Sequence, residues 1–310
     1  MSSIKKIDFK NFSWINISKP AKEDIEKLGV DYGFHPLDLA DCIAPSYRSK
    51  IDIYKNYTFI VLLFPVYNYQ TQEITATELD VFISNKYLIT IHRDELKIFN
   101  DFFNLCQITP SQKQKYTDKS PERLFYEILN RLYIYLFPMV DHLVKDCDLI
   151  EKAIFSGSEQ KMIYEILIIR RNITDVRKMA QVYKNILKKA ITEFKDNSLY
   201  VMNKTDIYFE SLIDATKEIW DMLENLKERI EALQQTNESQ ISFKLSNTMK
   251  ILTVISVITL PITLLATIFG MSLISSMPLY TNPFGFWYVL TGMAAVLSVM
   301  LIVFRKKGWL

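Results

Sequence analysis

The sequence predicts an α+β domain, then a long stalk helix, then a two-helix C-terminal transmembrane hairpin. Three observations lead there. Residues 251–304 hold no Asp, Glu, Lys, Arg or His, and roughly 20 apolar residues of helix cross a hydrocarbon core about 30 Å thick. Up to about Asn104, short β-branched and aromatic runs alternate with helical ones. Beyond Pro121 only helical spacing remains. The expected organisation is an α/β domain over 1–119, a helical hairpin and stalk over 120–248, and the membrane hairpin with a basic end over 249–310.

In chain order, IKKIDF and FSWINI read as short strands. A helix is expected from about Lys19 and Pro20, with Ile25, Leu28 and Val30 on its apolar face, and a shorter one after Pro36, with His35 at its start. KIDIYKNYTFIVLLFPVYN, ITATELDVFISN and KYLITIH read as a meander of three adjacent strands. ERLFYEILNRLYIYLFPMVDHLVKDCDLIEKAIF and the stretch 162–194 then form two long helices, parted by Ser156-Gly157-Ser158. In a third helix, Leu212, Ile219, Leu223, Leu226, Ile230 and Leu233 follow a packing seam of threes, fours and a seven. No proline lies between Pro138 and Pro261, so this helix is expected to run unbroken into the first span. Over 200–269 that makes a rod of about 100 Å.

The spans are expected at about 249–269 and 284–304, joined by Gly, Ser, Asn and Pro residues in 270–283. Lys244 and Lys250 precede the first and Arg305, Lys306 and Lys307 follow the second, while the connection carries no charge. The positive-inside rule therefore places both ends in the cytoplasm of a cell (inner) membrane protein. Tyr280, Trp287, Tyr288 and Trp309 fall where aromatic belts lie.

Lys+Arg 37 against Asp+Glu 35 gives a formal net charge of +2, interspersed through the soluble part, and gives no reason to expect a nucleic-acid partner. Cys42, Cys106 and Cys147 are too far apart to suggest a disulfide framework or a zinc knuckle. The N-terminus has no apolar run long enough for a signal peptide, so the hairpin itself is the expected membrane signal. His35, His92 and His142 stand alone, and no glycine-rich phosphate loop is present, so no enzyme is expected.

Thr253, Ser256, Thr259, Thr263 and Thr267 recur at three or four residues along one broad face of the first span. Such a face either lines something wet or lets helices pack and hydrogen-bond. Two helices cannot enclose a pore, so a conduit requires several copies around an axis.

Gly270-Met271-Ser272 ends the first span, followed by Met277-Pro278 and Pro283-Phe284-Gly285-Phe286-Trp287. Met249-Lys250, Leu252-Thr253, Pro261, Thr263 and the ending Arg305-Lys306-Lys307-Gly308-Trp309-Leu310 complete the pattern. With Trp14, Pro20, His35-Pro36-Leu37, Asp41 and ELDVFISNKYLITIHRDE upstream, the whole chain resembles the CorA family of magnesium and divalent-cation transport proteins. The resemblance implies a funnel-shaped homopentamer in the lipid bilayer whose first transmembrane helices line a central pore. Mg2+, with Co2+ and Ni2+ as further ions, would then pass under the membrane potential, and no organic cofactor is implied. The pore face would comprise Ser246, Met249, Leu252, Ser256, Leu260, Thr263 and Thr267, with Asn247 an alternative to Ser246. Gly270, Met271 and Ser272 would form the outer ring.

The family signature is Gly-Met-Asn, and Ser272 replaces the Asn. A hydroxyl ring still offers donors and acceptors to a hydrated cation, although its shorter reach implies weaker or differently selective capture. Leu279 and Tyr280 follow Pro278 where many relatives carry an acid, leaving the outer mouth uncharged. Arg305, Lys306 and Lys307 form a basic collar or simply anchor the topology. Asp206, Glu210 and Asp214, at steps of four, are candidate halves of an intersubunit regulatory metal site, or simply a solvated face. A Zn2+ transporter of the same superfamily and a non-conducting membrane-tethered sensor or scaffold are the alternative functions.

Overall fold

The computed structural model describes residues 3–44, 46, 48–200, 206–270 and 283–309. The chain divides into two compact units, Met1–Gln235 and Thr236–Leu310.

The first unit is built on a six-stranded sheet in the order β1-β2-β6-β5-β4-β3: β1 (Ser3–Asp8), β2 (Ser13–Ser18), β3 (Lys50–Ile53), β4 (Thr58–Asn68), β5 (Glu73–Ile83) and β6 (Tyr87–His92). All neighbouring pairs are antiparallel except β2 with β6. That parallel pair needs a crossover, supplied by the chain between Ser18 and Tyr87.

Strand period two sends alternate side chains to opposite faces. Ile60, Leu62 and Phe64 of β4, with Leu79, Val81 and Ile83 of β5, join one core, while Phe59, Val61 and Phe82 join the other. The smaller core lies under α1 (Lys22–Tyr32) and α2 (Pro36–Ile43), which contribute Ile25, Leu28 and Cys42. The larger core holds Trp14 and side chains of α3 (Lys97–Ile108), α4 (Pro110–Thr117), α5 (Pro121–Phe155) and α6 (Glu159–Asp196), together with α7 (Asp206–Gly270).

Several local expectations shift. The run from Lys50 to Asn68 is two strands, because the chain reverses at Lys55-Asn56, where the Tyr54 N–H donates to the Tyr57 carbonyl at 3.0 Å. The first helix starts at Lys22: Lys19 has φ of 52°, so the chain turns there, and Asp24 accepts from the Ala21 N–H at 3.1 Å. Val30 is 85% exposed and belongs to no apolar face. Helices α3 and α4 fall in a stretch assigned no element from the sequence. His35 does begin α2, its Nδ1 accepting from the Leu37 N–H at 3.3 Å.

The α5–α6 hairpin turns at Ser156–Ser158, where Gly157 adopts φ of 94°, a conformation that favours glycine. Ser120 caps α5 and Pro121 fills its first position, where a missing N–H costs nothing. All six seam residues, Leu212 to Leu233, are buried in the larger core. Charged contacts then hold α7 in register: Arg177 donates to Glu224 at 2.6 Å, and Arg229 reaches Asp148 at 2.7 Å and Glu151 at 2.6 Å. The expected run without a break holds, since α7 spans 65 residues with Pro261 inside it. Cys42, Cys106 and Cys147 are free and buried, and burial pushes the thiols of Cys106 and Cys147 up to about 11.

Candidate functional site

The second unit contains the C-terminal part of α7 and α8 (Gly285–Lys306). Both helices are long and apolar enough to cross a membrane. On α7, Val254 is buried and Ile258, Pro261, Ile262 and Leu265 are half-buried. On α8, Val289, Met293, Val296, Leu297, Met300 and Phe304 form a matching half-buried stripe. Each helix is the other's only described helical neighbour in the unit, and one stripe per helix is what a two-helix contact produces.

At about 100° per residue, the α7 stripe centres on about 160° when Met249 is set to zero. Ser246, Met249, Leu252, Ser256, Leu260, Thr263 and Thr267 fall within an arc of about 120° centred on the opposite side. Thr253 joins that arc, whereas Asn247 lies about 160° round, in angular line with the α7 stripe although itself exposed. Met249, Leu252 and Leu260 are 55%, 56% and 68% exposed, so a single chain leaves this face uncovered.

The hydroxyls have a common hydrogen-bonding state. Each donates its proton to the carbonyl four residues back: Thr253 to Met249 at 2.8 Å, Ser256 to Leu252 at 2.9 Å, Thr259 to Ile255 at 2.8 Å and Thr263 to Thr259 at 2.9 Å. Thr267 donates likewise to Thr263. With the proton committed to the backbone, each oxygen faces outward as an acceptor. The exposed face is therefore an acceptor stripe on an apolar background.

At the other end of the unit, Arg305 and Lys306 lie in the last turn of α8, where cations oppose the negative end of the helix dipole. Lys307 is the C-cap, and Gly308 follows with φ of 66°. The Trp309 N–H donates to the Phe304 carbonyl at 2.9 Å and its ring stacks on Phe304 at 5.8 Å, which closes a Schellman turn. That turn presents the Gly308 carbonyl to the Lys250 ammonium at 2.6 Å, a contact between the α8 end and the start of the α7 span. Sequence spacing carries no signal for this pairing of residues 58 apart.

Gly270 is the final residue of α7, while Met271, Ser272 and the rest of the connection to 282 lie outside the described residues. On the stalk, Glu210 and Asp214 are exposed, and the Asp206 side chain is outside the described set. Among the described residues no three His, Cys, Asp or Glu side chains converge to hold a metal within one chain.

A soluble α+β unit continuing through one helix into an apolar helix pair defines a membrane protein with a soluble N-terminal domain. The family described as "CorA-like Mg2+ transporter protein" matches residues 9–306, and the chain belongs to that family. It is 25% identical over 299 residues to the cobalt/magnesium transport protein CorA of Thermotoga maritima, covering 96% of this chain and 83% of that one. The complete structure of the CorA magnesium transporter from Methanocaldococcus jannaschii superposes with a TM-score of 0.83 at 22% identity, covering 99% of this chain and 94% of that one. The ZntB cytoplasmic domain from Vibrio parahaemolyticus RIMD 2210633 shares the soluble fold more distantly, with a TM-score of 0.63 at 10% identity, covering 78% of this chain and 99% of that one.

Proposed function

We propose that the chain conducts divalent cations across the membrane, Mg2+ first and Co2+ or Ni2+ as further ions, as a homopentamer whose first spans surround the path. The observation that carries this is the acceptor stripe of α7. A hydrated cation turns its water protons outward, and hydroxyl oxygens whose own protons are committed to the backbone suit that shell. An anion that sheds its water needs donors, which these committed hydroxyls do not supply. Mg2+ gives up its waters reluctantly, so outer-shell contact is the expected mode.

On this reading Ser246, Met249, Leu252, Ser256, Leu260, Thr263 and Thr267 line the pore, with Thr253 beside them. Met249 and Leu252 form an apolar constriction that gates by excluding water. Gly270, Met271 and Ser272 form the outer ring, and both termini are cytoplasmic. Glu210 and Asp214, with Asp206, contribute to a cytoplasmic divalent-ion site that closes the pore, its other ligands coming from a second copy. Arg305, Lys306 and Lys307 form the basic collar. Ser272→Asn tests the outer ring: divalent uptake at low external concentration should rise, and a fall would assign Ser272 to capture of a different ion.

A further inference from the structure

A cavity of about 120 Å³ opens between the β4–β5 hairpin and the middle of α5, in the soluble unit. Tyr67, Tyr69, Tyr135 and His142 line it with rings, and Asp146 adds a carboxylate. Tyr67 meets Tyr69 edge to face at 5.1 Å and lies nearly parallel to His142 at 6.1 Å and 25°. Among the described residues Asp146 has no Lys or Arg in ion-pair distance, and its basic partner there is the His142 imidazole, Nδ1 to Oδ1 at 4.0 Å, which is cationic only when protonated. Burial raises the Asp146 pKa, His142 opposes that rise, and Glu165 of α6 adds to it. Glu165 also acts on Tyr67, so two carboxylates bear on the cavity and its lining holds neither lysine nor arginine.

We propose that this cavity binds a compact quaternary or methylated ammonium headgroup. Aromatic faces carry negative quadrupole charge and attract a cation within about 6 Å of the ring centroid, most usefully one with a weakly held water shell. A hard divalent metal would require six or more oxygen ligands, which one carboxylate among rings does not supply. The volume admits a group of a few non-hydrogen atoms, such as a trimethylammonium head with its four. The site does not depend on conduction, and binding is measurable whether or not ions pass.

The test is isothermal titration calorimetry on the purified full-length chain with choline and with 3,3-dimethylbutan-1-ol, which has the same shape without the charge. Choline should bind saturably and the alcohol at least tenfold more weakly. Tyr69→Ala and Asp146→Asn should each weaken choline about tenfold. Tyr69 is 83% exposed, so its removal leaves the fold intact, as an unchanged melting curve will verify. Acetylated, amidated trimethyl-lysine presents the same headgroup on a protein side chain; the tighter of it and choline identifies the source, and either supports the site. Absence of binding by both cations to folded protein, equal affinity for the alcohol, or undiminished binding by both variants would overturn the proposal.

Discussion

Replacing Thr263 by Val removes one hydroxyl and keeps the side-chain volume. The Thr263 oxygen donates to Thr259 at 2.9 Å and is left as an acceptor on the exposed arc of α7. A hydrogen bond of this kind has a net worth of about 1 kcal/mol. If a hydrated ion meets two of the five Thr263 hydroxyls of the proposed pentamer at once, losing them raises the barrier by about 2 kcal/mol, or about thirtyfold in rate. The helix does not suffer, because back-bonded threonine is itself slightly unfavourable to helices. The assay is Mg2+ uptake by liposomes containing the purified variant, with assembly checked by size-exclusion chromatography. Ile258→Val, on the half-buried stripe, serves as the control and should stay within about twofold of the parent. An intact Thr263→Val assembly with parental flux would remove this face from the ion path.

Three further outcomes follow from the soluble unit. Thr90 accepts from the Trp14 indole N–H at 3.0 Å and donates to Asn16 at 2.9 Å, both partners being buried, so Thr90→Val should cost about 2–4 kcal/mol in chemical denaturation. Arg229→Ala removes contacts to Asp148 and Glu151 that are a third or more exposed; the expected loss is about 0.5–1 kcal/mol, read as a melting point lower by a few degrees. His92 is buried, its Nδ1 accepting from the Asp94 N–H, and burial lowers its pKa to about 4. The unfolded chain, at about 6.5, binds that proton first, so this contribution to stability is lost as pH falls from about 6.5 to 4. The raised carboxyls of Glu78 and Asp80 act in the opposite direction. Comparison with His92→Asn isolates the histidine: the variant should lose less stability than the parent, by about 3 kcal/mol, between pH 7 and 4.

The membrane hairpin was legible because 54 charge-free residues have almost no other physical solution than two spans. The stalk seam was legible for a similar reason, since six apolar residues at helical spacing define a face wherever the partner lies, and all six are buried. The pairing of strands was less so. Lys55-Asn56 gives a weak turn signal inside a long β-branched run, and only the register of β3 on β4 exposes the reversal. Ser246 and Asn247 could not be separated as sequence neighbours. Both are exposed on α7 about 100° apart, and which of them faces an ion path depends on neighbouring copies of the chain. Gly308 near Lys250 and the ring-lined cavity at Tyr67 join residues tens of positions apart, and no local pattern encodes such contacts.

The central claim is tested most directly by ion flux into liposomes containing the purified protein under an inside-negative potential, with Mg2+, Co2+, Ni2+ and Zn2+ offered separately. The account predicts Mg2+ entry that cobalt hexaammine, a mimic of the hexahydrated ion, blocks. Entry of Zn2+ alone would reassign the ion, and no flux of any ion through a correctly assembled oligomer would contradict conduction and leave a membrane-tethered sensor.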